Sequence, residues 1–247
     1  MNSEKERIAK IMARAGVCSR RDAERLIAEG RVSVNGQVLE TPAFLASFDD
    51  DIQVDGEPIP RPEDTRLFLY HKSAGLVTTA RDDHGRPTVF DDLPRGLPRV
   101  ISVGRLDLNT EGLLLLTNDG ALSRYLELPA TGWVRTYRVR AYGHPTDLDI
   151  RELAAGITYQ GIHYGPIEVV VDRERGDNTW MTMSLREGKN REIRNVMEAI
   201  GLRVNRLIRV SYGPFELAAL PEGEVVEVKP DVMQTALPDF YAQKNQR

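Results

Sequence analysis

The stretch Gly104–Gly120, GRLDLNTEGLLLLTNDG, constrains this chain more than any other. Arg105, Asp107, Asn109 and Glu111 crowd into a short polar segment, and Leu113–Leu116 follow at once. Consecutive leucines bounded by turn residues fit a strand buried on both faces, although periodicity alone leaves a buried helix open. Gly104 and Gly112 suit an irregular loop at the mouth of that strand. Asn118-Asp119-Gly120 closes it and suits the cap of a helix carrying Leu122, Tyr125 and Leu126. A carboxylate fixed in a loop at the end of a buried strand is a common way to present a catalytic group. From composition alone, Asp107 reads equally as a turn or cap aspartate.

The chain has 247 residues, enough for a small domain and a medium one, and 41% of them are hydrophobic. No apolar run approaches the ~20 residues that span a bilayer, and MNSEKERIAK lacks a signal-peptide core, so no membrane partner and a cytoplasmic location are expected. Cys18 has no cysteine to pair with, and the scattered His71, His84, His144 and His163 show no metal-ligand spacing. A monomer without metal or cofactor is expected. The net charge of −4 argues against a polyanionic partner, but its distribution argues the other way. Lys5–Val38 and Arg186–Arg209 are each net +4, and the acidic excess lies elsewhere, notably from Glu40 to Asp64. Two basic patches on an acidic background fit local phosphate contact.

Residues 1–57 read as a small domain. Ile8, Ile11, Met12 and Ala15 recur at helical spacing, Ser19-Arg20-Arg21-Asp22 suits the cap of a second helix, and Val32, Val34 and Val38 alternate about Asn35-Gly36. Ile52–Ile59 reads as a last short strand, and residues 58–65 form a proline-rich linker. Residues 66–237 form the larger domain. Its expected strands include Leu67–Tyr70, the Trp133–Arg140 region, Gly161–Asp172, Asn178–Leu185 and Val204–Val210. Asn190 suits the cap of a helix burying Ile193, Val196, Met197 and Ile200. Residues 238–247 read as a polar, disordered tail. Strands and helices intersperse without regular alternation, so the expected class is α+β with a mixed, mostly antiparallel sheet flanked by helices.

The Gly104–Gly120 stretch closely resembles the first motif of the pseudouridine synthases that modify ribosomal RNA, in the RsuA/RluB/RluE/RluF branch. The resemblance covers about residues 5–237 and implies that Asp107 is the catalytic carboxylate. Arg135-Thr136-Tyr137 resembles the second motif and implies that Tyr137 stacks on the target base. Lys189-Asn190-Arg191-Glu192-Ile193-Arg194 resembles the third, whose basic residue pairs with the aspartate. Counting along the motif gives Arg194, with Arg191 as its rival. Within VNRLIRVSYGPFEL, Leu207 is implied to pack near the base. GVCSRRDAERLIAEGRVSVNG resembles the S4 RNA-binding domain, with Arg20, Arg21 and Arg25 facing phosphate. Arg86 in the GRPTV element, Arg105, Lys189, Arg191, Arg206 and Arg209 complete the expected RNA contacts.

Pseudouridine formation is an isomerisation, so the absence of a dinucleotide fingerprint, phosphate loop or metal cluster in the sequence is compatible with it. The expected partner is ribosomal RNA, with VGRLD, TGWVR and GRPTVFDDLP most similar to members that act on large-subunit (23S) rRNA. The alternatives are a small-subunit (16S) enzyme, a non-catalytic S4-type RNA-binding or ribosome-assembly protein, and a glycosidase using Asp107 and Glu111 as an acid/base pair.

Overall fold

A computed structural model describes residues 5–245; the expectations for residues 1–4 and 246–247 lie outside the described residues. The N-terminal unit runs β1 (Glu6–Arg7), α1 (Ile8–Arg14), α2 (Arg20–Ala28), β2 (Val32–Val34), β3 (Gln37–Val38), β4 (Leu45–Ala46), β5 (Ile52–Val54) and β6 (Glu57–Pro58). Ser19 Oγ accepts the backbone N–H of Asp22 at 3.0 Å and starts α2. Ile8, Ile11 and Met12 of α1 bury against Leu26 and Ile27 of α2 and Val32 and Val34 of β2. Asn35 and Gly36 both take positive φ (52° and 81°), as a tight hairpin with matched twist requires. The expected strand Ile52–Ile59 is two short strands, because Asp55 and Gly56 also turn through positive φ.

The larger unit continues with β7 (Leu67–Lys72), β8 (Ile101–Ser102), β9 (Glu111–Thr117), α3 (Gly120–Glu127), β10 (Arg135–Tyr142), α4 (Asp147–Ala155), β11 (Ile157–Tyr159) and β12 (Ile162–Tyr164). It ends with β13 (Glu168–Arg175), β14 (Asn178–Leu185), α5 (Glu192–Ala199), β15 (Arg203–Tyr212), β16 (Phe215–Glu216), β17 (Val225–Glu227), α6 (Pro230–Ala236) and α7 (Pro238–Asn245). The main sheet has the order β13-β14-β10-β15-β9-β7-β17, with β16 on β15 and β8 on β9. Its pairs are antiparallel except β9 with β15, so the expected α+β class with a mixed, mostly antiparallel sheet is what forms.

The leucine run is β9, central in the sheet and buried on both faces. Leu113 and Leu115 pack with Leu122 and Leu126 of α3, Met233 of α6 and Phe240 of α7. Leu114 and Leu116 face the other way, onto Phe68, Tyr70 and Leu106. Beyond β15, helices α4 and α5 cover the face carrying Val139, Met181 and Met183, through Leu153, Val196 and Met197.

Three expectations need correction. The tail is not disordered through Asn245, because Pro238 starts α7 and buries Phe240 5.5 Å from the Tyr125 ring. A polar composition hid one well-placed aromatic anchor. The segment Gly161–Asp172 is two strands, Ile162–Tyr164 and Glu168–Arg175, broken around Pro166, which has no ladder donor. Helix α5 starts after Arg191 rather than at an Asn190 cap; Arg191 itself takes the left-handed conformation, φ 51°.

An ion pair from Asp119 to Arg14 of α1 ties the two units together. Asp119, the N-cap of α3, accepts from Thr65 Oγ1 at 2.5 Å and lies 3.5 Å from Arg14 of α1 and 3.9 Å from Lys244 of α7. Burial pushes the Asp119 carboxyl up, but the Thr65 hydroxyl, Arg14, the Ala121 N–H and Lys244 outweigh it and hold it below the usual carboxylate range. A lowered folded-state pKa adds stability above the unfolded value of about 3.9 and loses it as pH falls through the folded value. Asp119→Asn is therefore expected to cost about 1–2 kcal/mol at neutral pH and to flatten the acid limb of stability in urea melts recorded against pH.

Gly112 sits where β9 meets β15, opposite Arg209 and at φ +100°. A Cβ there would lie 2.3 Å from the Arg209 carbonyl oxygen and 2.8 Å from its nitrogen. Both obstacles are backbone of a central strand. Gly112→Ala is expected to cost roughly 3 kcal/mol or more, read as a fall in the urea midpoint.

Candidate active site

The loop between β8 and β9 carries Asp107, and its backbone is bonded residue by residue. Thr78 Oγ1 donates to the Leu106 carbonyl at 2.8 Å. The Thr110 N–H closes on the Asp107 carbonyl at 3.0 Å, and the Gly75 N–H on that of Leu108 at 2.8 Å. Arg194 Nη2 donates to the Asn109 carbonyl at 2.9 Å. Lys72 Nζ, fully buried at the end of β7, donates to the carbonyls of Thr110 (2.9 Å), Ser73 (2.8 Å) and Leu108 (3.3 Å). An ammonium has three donors, and all are used. Burial pushes Lys72 down to about 8, opposed by the carboxylates of Asp107 and Glu111, so it stays charged at neutral pH.

With its main chain held from Leu106 to Thr110, the loop aims Asp107 into a cleft of about 610 Å³. The Asp107 side chain is 29% exposed, and its nearest cation is Arg191, with Nη1 3.8 Å from Oδ2. Arg194, counted from the sequence as the partner, instead braces the loop from below. It bonds the Asn109 carbonyl and, at 3.3 Å, that of Val204, and it does not line the cleft. Burial and the neighbouring Arg191 push the Arg194 guanidinium below its usual value, and Asp107 opposes them. The reason for the exchange is backbone geometry. The left-handed turn at Arg191 sends its side chain over the cleft before the helix begins, while Arg194 is already within α5. Left-handed backbone at a bulky residue is strained and concentrates at functional sites.

Tyr137, on β10, and Leu207, opposite Val139 on β15, line the same cleft. Arg105 and Lys189 stand at its rim, with Lys189 paired to Glu187 at 2.5 Å. Arg209 lines the cleft too, but it is 3% exposed and its Nε donates to the Leu113 carbonyl at 2.8 Å. Its guanidinium belongs to the cleft floor, which corrects the expectation that it faces an exposed backbone phosphate. Arg206 faces away from the cleft and forms a two-pronged pair with Glu111 at 2.7–3.2 Å. Arg86 is folded onto Asp82 of its own loop at 2.7 Å. Arg20, Arg21 and Arg25 line the exposed side of α2, with Arg25 3.4 Å from Asp22 and none of them in the cleft.

Several residues that build the site were missed in the sequence. Tyr212 lies between two guanidinia, Arg135 at 4.7 Å and Arg209 at 5.1 Å, and its hydroxyl donates to the Leu126 carbonyl. Arg135 also donates to the carbonyls of Arg186 (2.7 Å) and Glu187 (3.2 Å), fixing the approach to Arg191. Glu192 is buried and accepts the Lys189 N–H at 2.8 Å; burial pushes its carboxyl up. Lys72 had a signal, a lysine after an apolar run, but the expected strand ended at Tyr70, and β7 runs on through Lys72.

A polar cleft with Asp107 fixed on its loop, an arginine beside it and an aromatic wall defines a class. Residues 66–199 match the RNA pseudouridylate synthase family, and residues 6–52 match the S4 domain. The chain belongs to the RNA pseudouridylate synthase family; it is a pseudouridine synthase, an isomerase acting on RNA, with an N-terminal S4 domain. It is 45% identical over 229 residues to an uncharacterized RNA pseudouridine synthase of Rickettsia felis, covering 93% of this chain and 99% of that one. It is 40% identical over 244 residues to the ribosomal large subunit pseudouridine synthase B of Escherichia coli K12, covering 93% and 81%. A crystal structure of a pseudouridylate synthase superposes with a TM-score of 0.65 at 26% identity, covering 92% of this chain and 98% of that one. Among the described residues, no helix is long and apolar enough to cross a membrane.

Lys72→Met removes three hydrogen bonds from a buried ammonium and is expected to cost roughly 3 kcal/mol in a urea melt. It is also expected to lower kcat at least about tenfold with little change in KM, because the loop loses its aim rather than its RNA contacts.

Proposed function

We propose that this protein isomerises a specific uridine of large-subunit (23S) ribosomal RNA to pseudouridine, with Asp107 as the catalytic carboxylate. The observation that carries the residue assignment is the caged loop, which presents Asp107 beside Arg191 in one cleft with Tyr137 and Leu207. The 40% identity to the large-subunit synthase B of Escherichia coli K12 supports the choice of RNA. Such a substrate implies a cytoplasmic protein, and the Asp107 cleft is lined by one chain, in keeping with a monomer.

The target nucleotide must leave its stack to reach the cleft, at a cost of a few kcal/mol, which basic contacts outside the cleft offset. With the ribose over Asp107, the carboxylate acts at C1′ as a nucleophile or at C2′ as a base. The N1–C1′ bond breaks and its electrons stay on the uracil. The ring then turns and C5 bonds to C1′, displacing the Asp107 carboxylate on the first route or with the proton held by Asp107 returning to C2′ on the second; C5 then loses its proton and N1 gains one. No redox equivalent or second substrate enters. Arg191 balances the carboxylate charge, and Arg194 holds the loop under it. Tyr137 and Leu207 hold the detached base, with the Tyr137 hydroxyl a candidate for the C5 proton step.

The test uses rRNA from a strain lacking the gene, incubated with the purified protein and mapped by carbodiimide adducts, since mass is unchanged. New pseudouridine is expected in large-subunit RNA; modification confined to the small subunit would replace that assignment. Asp107→Asn is nearly isosteric. It is expected to fold, to bind RNA and to turn over at less than about one thousandth of the wild-type rate. Wild-type turnover in that variant would remove Asp107 from the chemistry.

A further inference from the structure

The reverse face of the sheet at the β13-β14-β10-β15 end carries no helix among the described residues, since α4 and α5 use the other face. Register aligns its side chains in rows across four strands. One row reads Arg173, Trp180, Arg140, Arg206. The next reads Arg175, Asn178, Tyr142, Arg203. Like charges directly opposite each other, as in Arg140 and Arg206, are destabilising in a sheet. Arg206 is neutralised by Glu111, and Arg138 lies 3.8 Å from Asp172. Arg140, Arg173, Arg175 and Arg203 form no ion pair and no side-chain hydrogen bond among the described residues, and Arg140 Nε is buried without a partner.

Aromatic rings lie among them. Arg138 stacks over Trp180 at 5.0 Å, and Arg203 over Tyr142 at 6.0 Å, with Tyr142 51% exposed. Stacking holds a guanidinium flat and leaves its N–H edge free to donate two hydrogen bonds to one phosphate. Rings and guanidinium planes on an open sheet also offer bases a surface to stack on.

We propose that this reverse face is a second RNA-binding platform, which holds an unpaired strand of the substrate RNA while the target uridine occupies the cleft on the opposite face. An acidic protein would satisfy the charges equally well. The interleaved Trp180 and Tyr142, and a chain whose substrate is RNA, favour a nucleic-acid strand; to that extent the inference rests on the synthase reading.

The experiment measures binding of a short labelled oligouridylate to the full chain and to the double variant Arg140→Gln/Arg203→Gln by fluorescence anisotropy. Affinity is expected to fall about tenfold, and the slope of log K against log salt to flatten by about 1.4, since each phosphate contact to a single strand contributes about 0.7. Unchanged affinity and slope in a variant with a wild-type melt would overturn the proposal. So would binding of polyglutamate that the substitutions abolish while oligouridylate binding stays. Independently of any variant, a 4-thiouridine oligomer is expected to crosslink wild-type protein at Trp180 or Tyr142; crosslinks confined to the cleft and α2 would overturn the proposal. Neither readout requires turnover. Failure to form pseudouridine would count against the synthase reading and leave the platform to be judged on its own result.

Discussion

The cleft depends on how carbonyl groups are held in a short loop. From Leu106 to Thr110 each carbonyl meets a donor, and those outside the loop come from Lys72, Gly75, Thr78 and Arg194. A loop of this kind would otherwise be mobile, and a side chain that wanders by an ångström no longer points into a fixed place in a cleft. The donors come from two distant parts of the chain, so the Asp107 position is a property of the whole sheet. The ammonium of Lys72 serves three carbonyls in an interior where a lone charge would be costly. It is tolerated because those carbonyls also need partners.

The sheet sets the rest. The parallel contact of β9 with β15 brings Glu111 and Gly112 against Ile208 and Arg209, and the missing side chain at Gly112 lets the strands close. Alternation along β15 then assigns neighbouring residues to opposite faces. Leu207 and Arg209 line the cleft, while Arg206 turns to the reverse face and meets Glu111. The stack of Arg135, Tyr212 and Arg209 places buried positive charge in the cleft floor without a carboxylate to cancel it. Hydrogen bonds to main-chain carbonyls disperse that charge instead.

Much of this was legible in the sequence, and the exceptions share a cause. The leucine run, the Asn35-Gly36 hairpin and the Ser19 and Asp119 caps are local signals, and each formed where its residues placed it. What failed was non-local. Nothing near Arg191 announces a left-handed turn, so counting along the third motif put Arg194 ahead of its rival Arg191. Lys72 lies beyond the expected strand Leu67–Tyr70, and two of its three carbonyl partners, Leu108 and Thr110, are tens of residues away. The tail looked disordered because the cluster that receives Phe240 is assembled by β9, α3 and α6. Arg206 and Arg209 read alike along the chain, and only strand register separates a surface pair from a buried floor.

The charge distribution follows the same logic. A chain of net charge −4 can bind a polyanion where some of its basic groups stand clear of its acids. Glu63 and Glu227 are occupied by Arg66, and Asp55 and Glu29 by Arg31, away from the cleft. Around the cleft, Arg105 at the rim and Arg209 in the floor have no carboxylate within ion-pair distance among the described residues, while Asp107 is matched by Arg191. A strand of RNA entering such a field meets fixed guanidinia around Asp107. Repulsion between Asp107 and the phosphates of that strand is then screened by fixed guanidinia that need no rearrangement when the RNA arrives.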